Sequence, residues 1–457
     1  MRVPLLSDLR DLDPGPRRFL FFHMFNVVSW QCIVGPSMIL FARSIEMPPA
    51  GVGFLNAFAP LSQVLVMFML PLVERFGPKR LMITTWMLRN IITCIVFAMP
   101  WALTFQSQWP AWALLSATIL CFCVSRAFGA GGWFPWLHEI IPAHQRHAYF
   151  SAEMSVAQVI NVIVFAVQGQ YLQGRPGLDE YLAIYAVGIL FGILSILMLV
   201  RVPQGGAVPP ERRESGGAAG YRRVISDRRY WHIVLIASLS FCALHLVGAT
   251  WTMYLRDVLH LSDRSILSMT ALGGLCVLLT VRSWGRFADS RGSARAVILT
   301  LIGHGIFGFT FLFLSPDHLW TSAYATVALC GIIVYGSAFW SSVHGLMLAY
   351  VPESGRVRYT NLWMVGTSLA LGLTPIAAGW MVNAGGIWGF RVCFIASTLG
   401  ALGCALAIDA VIHGNAPRQQ LQRVLGNPAL VVRALGSIAW ITLGGKFAAS
   451  PEGHRSA

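Results

Sequence analysis

The stretch LPLVERFGPKR, residues 70–80, decides the fold because it occurs twice. Its second copy, GRFADSRGSAR, occupies residues 285–295. Laid over each other, Glu74 falls on Asp289, Gly77 on Gly292 and Arg80 on Arg295, a constant offset of 215. Each copy separates two long apolar runs. Each therefore reads as a tight, charged turn whose glycine tolerates positive φ. A second echo follows the first. IIPAHQRHAYFS at 140–151 is matched by YVPESGRVRYTN at 350–361, which aligns Pro142 with Pro352, Arg146 with Arg356 and Tyr149 with Tyr359. Gly169 and Gly379 keep the same offset of 210. Two echoes in one order, at a nearly constant shift, mark a chain built from two like halves.

Around these turns the 457 residues are 56% hydrophobic and only 11% charged, against about 25% charged in soluble domains. The mean hydropathy is +0.63. This is the composition of a polytopic membrane protein. A bilayer-spanning helix needs about 20 apolar residues, and twelve runs qualify: 19–41, 51–73, 81–102, 111–139, 148–171, 181–200, 231–254, 265–284, 296–315, 319–347, 359–382 and 388–412. Pro135 is expected to kink or end the long fourth run near its lower end. Residues 1–18 carry mixed charge and the first apolar run is long, so no cleavable signal peptide is expected. All nine cysteines lie inside apolar runs, and their spacing suggests neither disulfides nor a metal site.

Lysine and arginine set the orientation. With a cytoplasmic N-terminus, the inside segments carry 26 of these residues and the outside segments 5, with Arg89 and Arg126 left inside spans. Both termini are therefore expected in the cytoplasm. The net charge of +14 then faces anionic membrane lipid rather than nucleic acid. Residues 1–18 read as an N-terminal arm, 19–202 as one six-helix bundle, and 203–230 as a basic cytoplasmic linker. Residues 231–412 form the second bundle and 413–457 a cytoplasmic tail. Within that tail, 429–445 is apolar but broken by Arg433 and several glycines, which leaves an interfacial helix or a thirteenth span open.

The two turns resemble the signature G-x-x-x-D-[RK]-x-G-x-[RK]-[RK] of the major facilitator superfamily, and the resemblance extends over 19–412. The first copy departs from it with Leu70 in place of Gly and Glu74 in place of Asp; the second keeps Gly285, Asp289 and Gly292 but has Ser290 in place of the basic residue. The resemblance implies an all-α membrane protein of twelve transmembrane helices in two pseudo-symmetric six-helix bundles, working by alternating access. In that scheme Glu74, Arg75, Gly77, Lys79, Arg80, Gly285, Asp289, Gly292 and Arg295 form conformational latches. Carboxylates at a helix end and nearby arginines would close one face in one state and release it in the other. Positive-inside topology alone is the plainer explanation of the same charges.

Ionisable groups inside a bilayer are costly and so mark function. Arg126 lies near the middle of the fourth run, about 15 residues from either end. It suits an anionic group on a solute, or else an internal partner, Glu153 or Glu139. Arg89 is expected to snorkel or pair structurally. His245, near the midplane of the seventh run, suits substrate binding or, with Glu153, proton coupling; a histidine satisfied by a neighbour is the plainer alternative. His304 reads as structural. Polar residues recur at helical spacing: His23, Asn26 and Trp30 with Gln31 alongside, Asn56 with Gln63, and Gln158, Asn161 and Gln168. Such faces turn inward, to bind a solute or to join helices. Tyr335 and Trp340 would add aromatic walls, although core packing is common for such residues.

No G-x-x-x-x-G-K-[ST] loop occurs, which argues against direct ATP drive. No cluster with catalytic or metal spacing points to an enzyme, and no cofactor is expected. The expectation is a monomeric secondary active transporter for a small organic solute, anionic if Arg126 binds it, embedded in a cell inner membrane among its lipids. A facilitator or exporter of amphipathic compounds, and a non-transporting sensor or assembly factor of the same fold, remain as alternatives.

Overall fold

A computed structural model describes residues 13–141, 146–174, 176–202, 224–316, 320–352, 356–413 and 428–445. Those residues are almost wholly helical, and twelve helices are long and apolar enough to cross a membrane. They are α1 (Pro14–Ser44), α2 (Pro49–Phe68), α3 (Pro78–Ala102), α4 (Trp109–Ala130), α5 (Ala152–Tyr171) and α6 (Leu178–Val200). After the linker, whose residues 203–223 lie outside the described residues, come α7 (Tyr230–Val258), α8 (Asp263–Arg291) and α9 (Ser293–Phe313). The series ends with α10 (Thr321–Tyr350), α11 (Arg358–Gly385) and α12 (Ile387–Val411). Each corresponds to one of the twelve apolar runs. An even number of crossings puts both ends of the described bundle on the same side.

One boundary differs. The fourth run does not continue to Pro135. It breaks at Gly131 and Gly132, and a short helix, Trp133–Ile140, carries the proline inside its first turn, where a missing N–H does no harm. The break is closely packed: a Cβ on Gly132 would lie 2.7 Å from the Pro78 carbonyl oxygen. Only a bare backbone lets the start of α3 approach so closely.

The sequence echoes are structural echoes. Gly77 has φ 77° and ψ 148°, and Gly292 has φ 90° and ψ 142°. Each amide donates to the carbonyl four residues back, Val73 and Ala288, at 2.9 Å. At the opposite end of the bundle, Glu46 (φ 59°) and His260 (φ 53°) are the non-glycine residues with positive φ among those described, again one repeat apart. The conformation at Gly77 and Gly292 is closed to side chains at a cost of about 1–3 kcal/mol. A Cβ at either site would meet nothing within 4 Å. Gly77→Ala and Gly292→Ala should each therefore lower stability by that amount through the backbone alone, checked by thermal unfolding of the purified protein.

The first six helices meet the last six along two seams, α2 on α11 and α5 on α8. The repeat glycines lie on these seams. A Cβ on Gly379 would come within 2.6 Å of the Pro49 carbonyl oxygen, and one on Gly169 within 3.3 Å of the Arg264 carbonyl oxygen. A further helix, α13 (Pro428–Thr442), packs on α8 and α9. Ile438 and Ile441 are buried with Trp284, Phe287 and Tyr335. With 15 residues, it is about 22 Å long, short of the roughly 30 Å hydrocarbon core. Among the described residues it is not one of the twelve helices long and apolar enough to cross a membrane.

Candidate functional site

The first-half polar residues converge between α1, α3, α4 and α5. Arg89 is 0% exposed, so of its two expected roles, snorkelling or structural pairing, it takes the second. Both terminal nitrogens of its guanidinium donate to Asn26 Oδ1 at 3.2 Å, and it lies 4.7 Å from the ring centres of both Trp86 and Phe122. An acceptor and two aromatic faces replace the water it has lost.

Arg126 lies on the adjoining wall, 4.4 Å from the centre of the Trp30 ring. The helix break places it four residues from the end of α4 rather than at mid-helix. Its backbone carbonyl accepts from Trp86 Nε1 at 3.1 Å, which ties α3 to α4. Its Nε is buried and makes no hydrogen bond. Among the described residues no carboxylate pairs with Arg126. Glu153 is engaged by His23 instead, at 3.1 Å, and the side chain of Glu139 lies outside the described residues. Two guanidiniums thus share one low-dielectric wall whose described carboxylate is already paired. Such a wall is electropositive and attracts an anion.

The remaining polar residues of the first half split into two groups. Gln31 donates to Asn161 Oδ1 at 2.9 Å across α1 and α5, and Gln168 donates to Cys32 Sγ at 3.4 Å. These contacts join helices. Gln63 and Gln158 are half-buried, while Asn56 Nδ2 is buried without a partner.

In the second half a cavity of about 170 Å³ opens between α7 and α10, with α9 behind it. His245 and Trp340 line it, as does His304, a residue whose sequence context suggests only a structural role. Nothing in the sequence distinguished it, since α9 reads as an outer helix. Tyr335 takes no part in this wall. It is buried against Trp284 and shares a 3.2 Å hydrogen bond with Thr442 of α13.

The two ends of the bundle differ. Opposite the termini, Arg43 Nε donates to Asp257 Oδ2 at 2.9 Å. Tyr181 donates to Asp263, Arg256 donates to the Leu40 carbonyl, and Arg264 donates to Gln173 Oε1 at 3.2 Å. All four bonds tie one half to the other. At the end carrying the repeated turns, Asp289 is exposed and belongs to none of the ion pairs among the described residues. Lys79 binds the carbonyls of Val200 and Val202, at 3.0 and 2.6 Å, within its own half. Arg80 and Arg295 are exposed, and Arg75 lies 5.3 Å from the Phe76 ring. The side chain of Glu74 lies outside the described residues.

Known structures share this architecture. The nucleoside transporter NupG (D323A mutant) superposes with a TM-score of 0.66 at 11% identity, covering 89% of this chain and 99% of the other. A bacterial homologue of the human lysosomal transporter Spinster, inward-facing and occupied, gives 0.64 at 13% identity, covering 88% and 98%. The D-xylose-proton symporter gives 0.60 at 16% identity, covering 88% and 96%. A search of the curated proteins finds no match. The family description Major Facilitator Superfamily matches residues 19–344, well over half of the chain and across both repeated turns. On that match and this helical architecture, the chain belongs to the major facilitator superfamily, a family of transporters rather than enzymes.

Proposed function

We propose that this protein is a secondary active transporter of a small organic anion, working by alternating access in a cell inner membrane with both termini in the cytoplasm. The observation that carries the reading is Arg126, a guanidinium held over Trp30 with no carboxylate partner among the described residues. Arg89 stands behind it. A half-buried cation in an apolar wall without a counter-charge is costly, and a bound carboxylate or phosphate removes that cost. The cargoes named for the structural neighbours differ, from nucleosides to D-xylose, so the fold selects no substrate and the side chains must. The inter-half bonds at one end, and Asp289 at the other without an ion pair among the described residues, support a state open towards the termini.

Counterflow in proteoliposomes tests this reading. Saturable exchange of a carboxylate or phosphate ester, driven further by an imposed pH gradient, is the expected result. Exchange confined to neutral solutes would exclude the anion reading. Asp289 supplies a second test, because its latch would form only in the opposite state. Asp289→Asn should slow turnover about tenfold while leaving substrate affinity nearly unchanged. Such a loss amounts to roughly 1.4 kcal/mol on one conformational step. Comparing kcat with KM in counterflow checks it.

A further inference from the structure

We infer that the second-half cavity is a subsite for a planar aromatic ring bearing one polar edge, a phenol or an NH-containing heterocycle. The inference deepens the proposed function and rests on it only in making this ring the uncharged end of the transported anion. The cavity itself stands on separate observations.

Its size comes first. About 170 Å³ is comparable to the roughly 150 Å³ apolar cavity that takes up benzene in another protein. It is far larger than a metal ion needs. No group of three His, Cys, Asp or Glu residues able to hold a metal occurs among the described residues.

The walls are aromatic. Phe241 meets Phe339 at 5.2 Å and Trp340 at 5.3 Å between ring centres, both edge to face. An inserted ring would extend that edge-to-face pattern. Room for it is left by two glycines. A Cβ on Gly248 would lie 3.8 Å from His245 Nδ1, and one on Gly336 would lie 4.0 Å from His304 Nδ1. Each imidazole therefore has bare backbone beside it.

The polar requirement comes from His304. It is 2% exposed, and neither ring nitrogen makes a hydrogen bond. Its ring lies near the carbonyls of Ile332 and Leu244 without reaching bonding geometry. A buried imidazole left unsatisfied is costly, and it faces a cavity with otherwise few polar groups. An occupant offering one hydroxyl or ring N–H satisfies His304 or His245 while its carbon face meets the aromatic wall. A fully apolar occupant would leave the His304 imidazole unmet, and a charged one would lose its hydration among phenyl rings.

Phenol, which is neutral, tests the subsite apart from the anion reading. Binding to the purified full-length protein is followed by ligand-observed NMR titration, with the thermal midpoint of each ligand-free variant as the check on folding. Saturable millimolar binding is expected, at least tenfold weaker in His304→Leu and abolished in Gly336→Leu, whose side chain fills the cavity. Cyclohexanol, of similar size but not aromatic, should bind at least threefold more weakly than phenol. Absence of saturable phenol binding by the folded protein would overturn the inference. So would equal binding by the wild type and both folded variants. A second arm titrates 4-hydroxybenzoate into Arg126→Gln. If the loss of the guanidinium does not weaken it, the anion reading fails while the phenol results still decide the subsite.

Discussion

Arg126→Ala should reduce kcat/KM for the anionic substrate at least a hundredfold, while Arg126→Lys should lose about tenfold. The first figure corresponds to roughly 3 kcal/mol, the range of a charge-assisted hydrogen bond to a charged group in a dry site. The smaller loss follows because lysine keeps the charge but gives up the planar fork and the stacking on Trp30. Protein stability separates this from a structural effect. Arg126 has no carboxylate to orphan among the described residues, and its removal relieves repulsion with Arg89, so the ligand-free thermal midpoint should not fall. Arg89→Ala should behave in the opposite way. It would leave Asn26 Oδ1 without its two donors and open a cavity between Trp86 and Phe122. A loss of about 2–5 kcal/mol in stability is expected for such a buried truncation. Transport kinetics unchanged in both Arg126 variants would rule out a role for this residue in substrate recognition.

The contrast between the two arginines shows where the sequence was legible. The twelve spans were readable because hydropathy is a sum over about 20 residues, which no single contact reverses. The repeat was readable because Gly77 and Gly292 answer to a local backbone demand. The seam glycines Gly169 and Gly379 answer to a close approach made twice. Side-chain pairing was not readable in the same way. The sequence offers Glu153 and Glu139 as alternatives to a solute anion for Arg126, and it is His23 from α1 that takes the Glu153 carboxylate. That outcome depends on three helices and their rotation. The break in the fourth run was not readable either: α4 ends at a glycine pair packed on Pro78, which places Arg126 four residues from the end of that helix. His304 shows the limit from the other side. A lone histidine in an apolar run acquires meaning only when α7 and α10 place a cavity in front of it.

The same close packing gives the second large effect. A Cβ on Gly53 would lie 2.4 Å from the Pro375 carbonyl oxygen and 3.2 Å from Gly379 Cα. Both atoms belong to backbone, which has no rotamer to yield. Gly53→Val therefore cannot be absorbed locally; α2 and α11 must separate at the end opposite the termini. The Arg43–Asp257 pair, the one ion pair among the four bonds that tie the halves at that end, lies closest in sequence to the wedge. It is partly exposed, and a pair of that kind contributes no more than about 1 kcal/mol. Overpacking a tight seam costs about 1–3 kcal/mol or more. The wedge should win, and the state closed at that end should lose its population by tenfold or more. Hydrogen exchange should then quicken in peptides covering 40–55 and 370–385 while the rest of the bundle keeps its protection. Counterflow should collapse, because alternating access needs the closed seam once in every cycle. A milder Gly53→Ala variant should fall between, since its single methyl meets the same oxygen but adds no branch. Unaltered exchange at both segments together with normal counterflow in Gly53→Val would show that α2 and α11 need not close this tightly for transport.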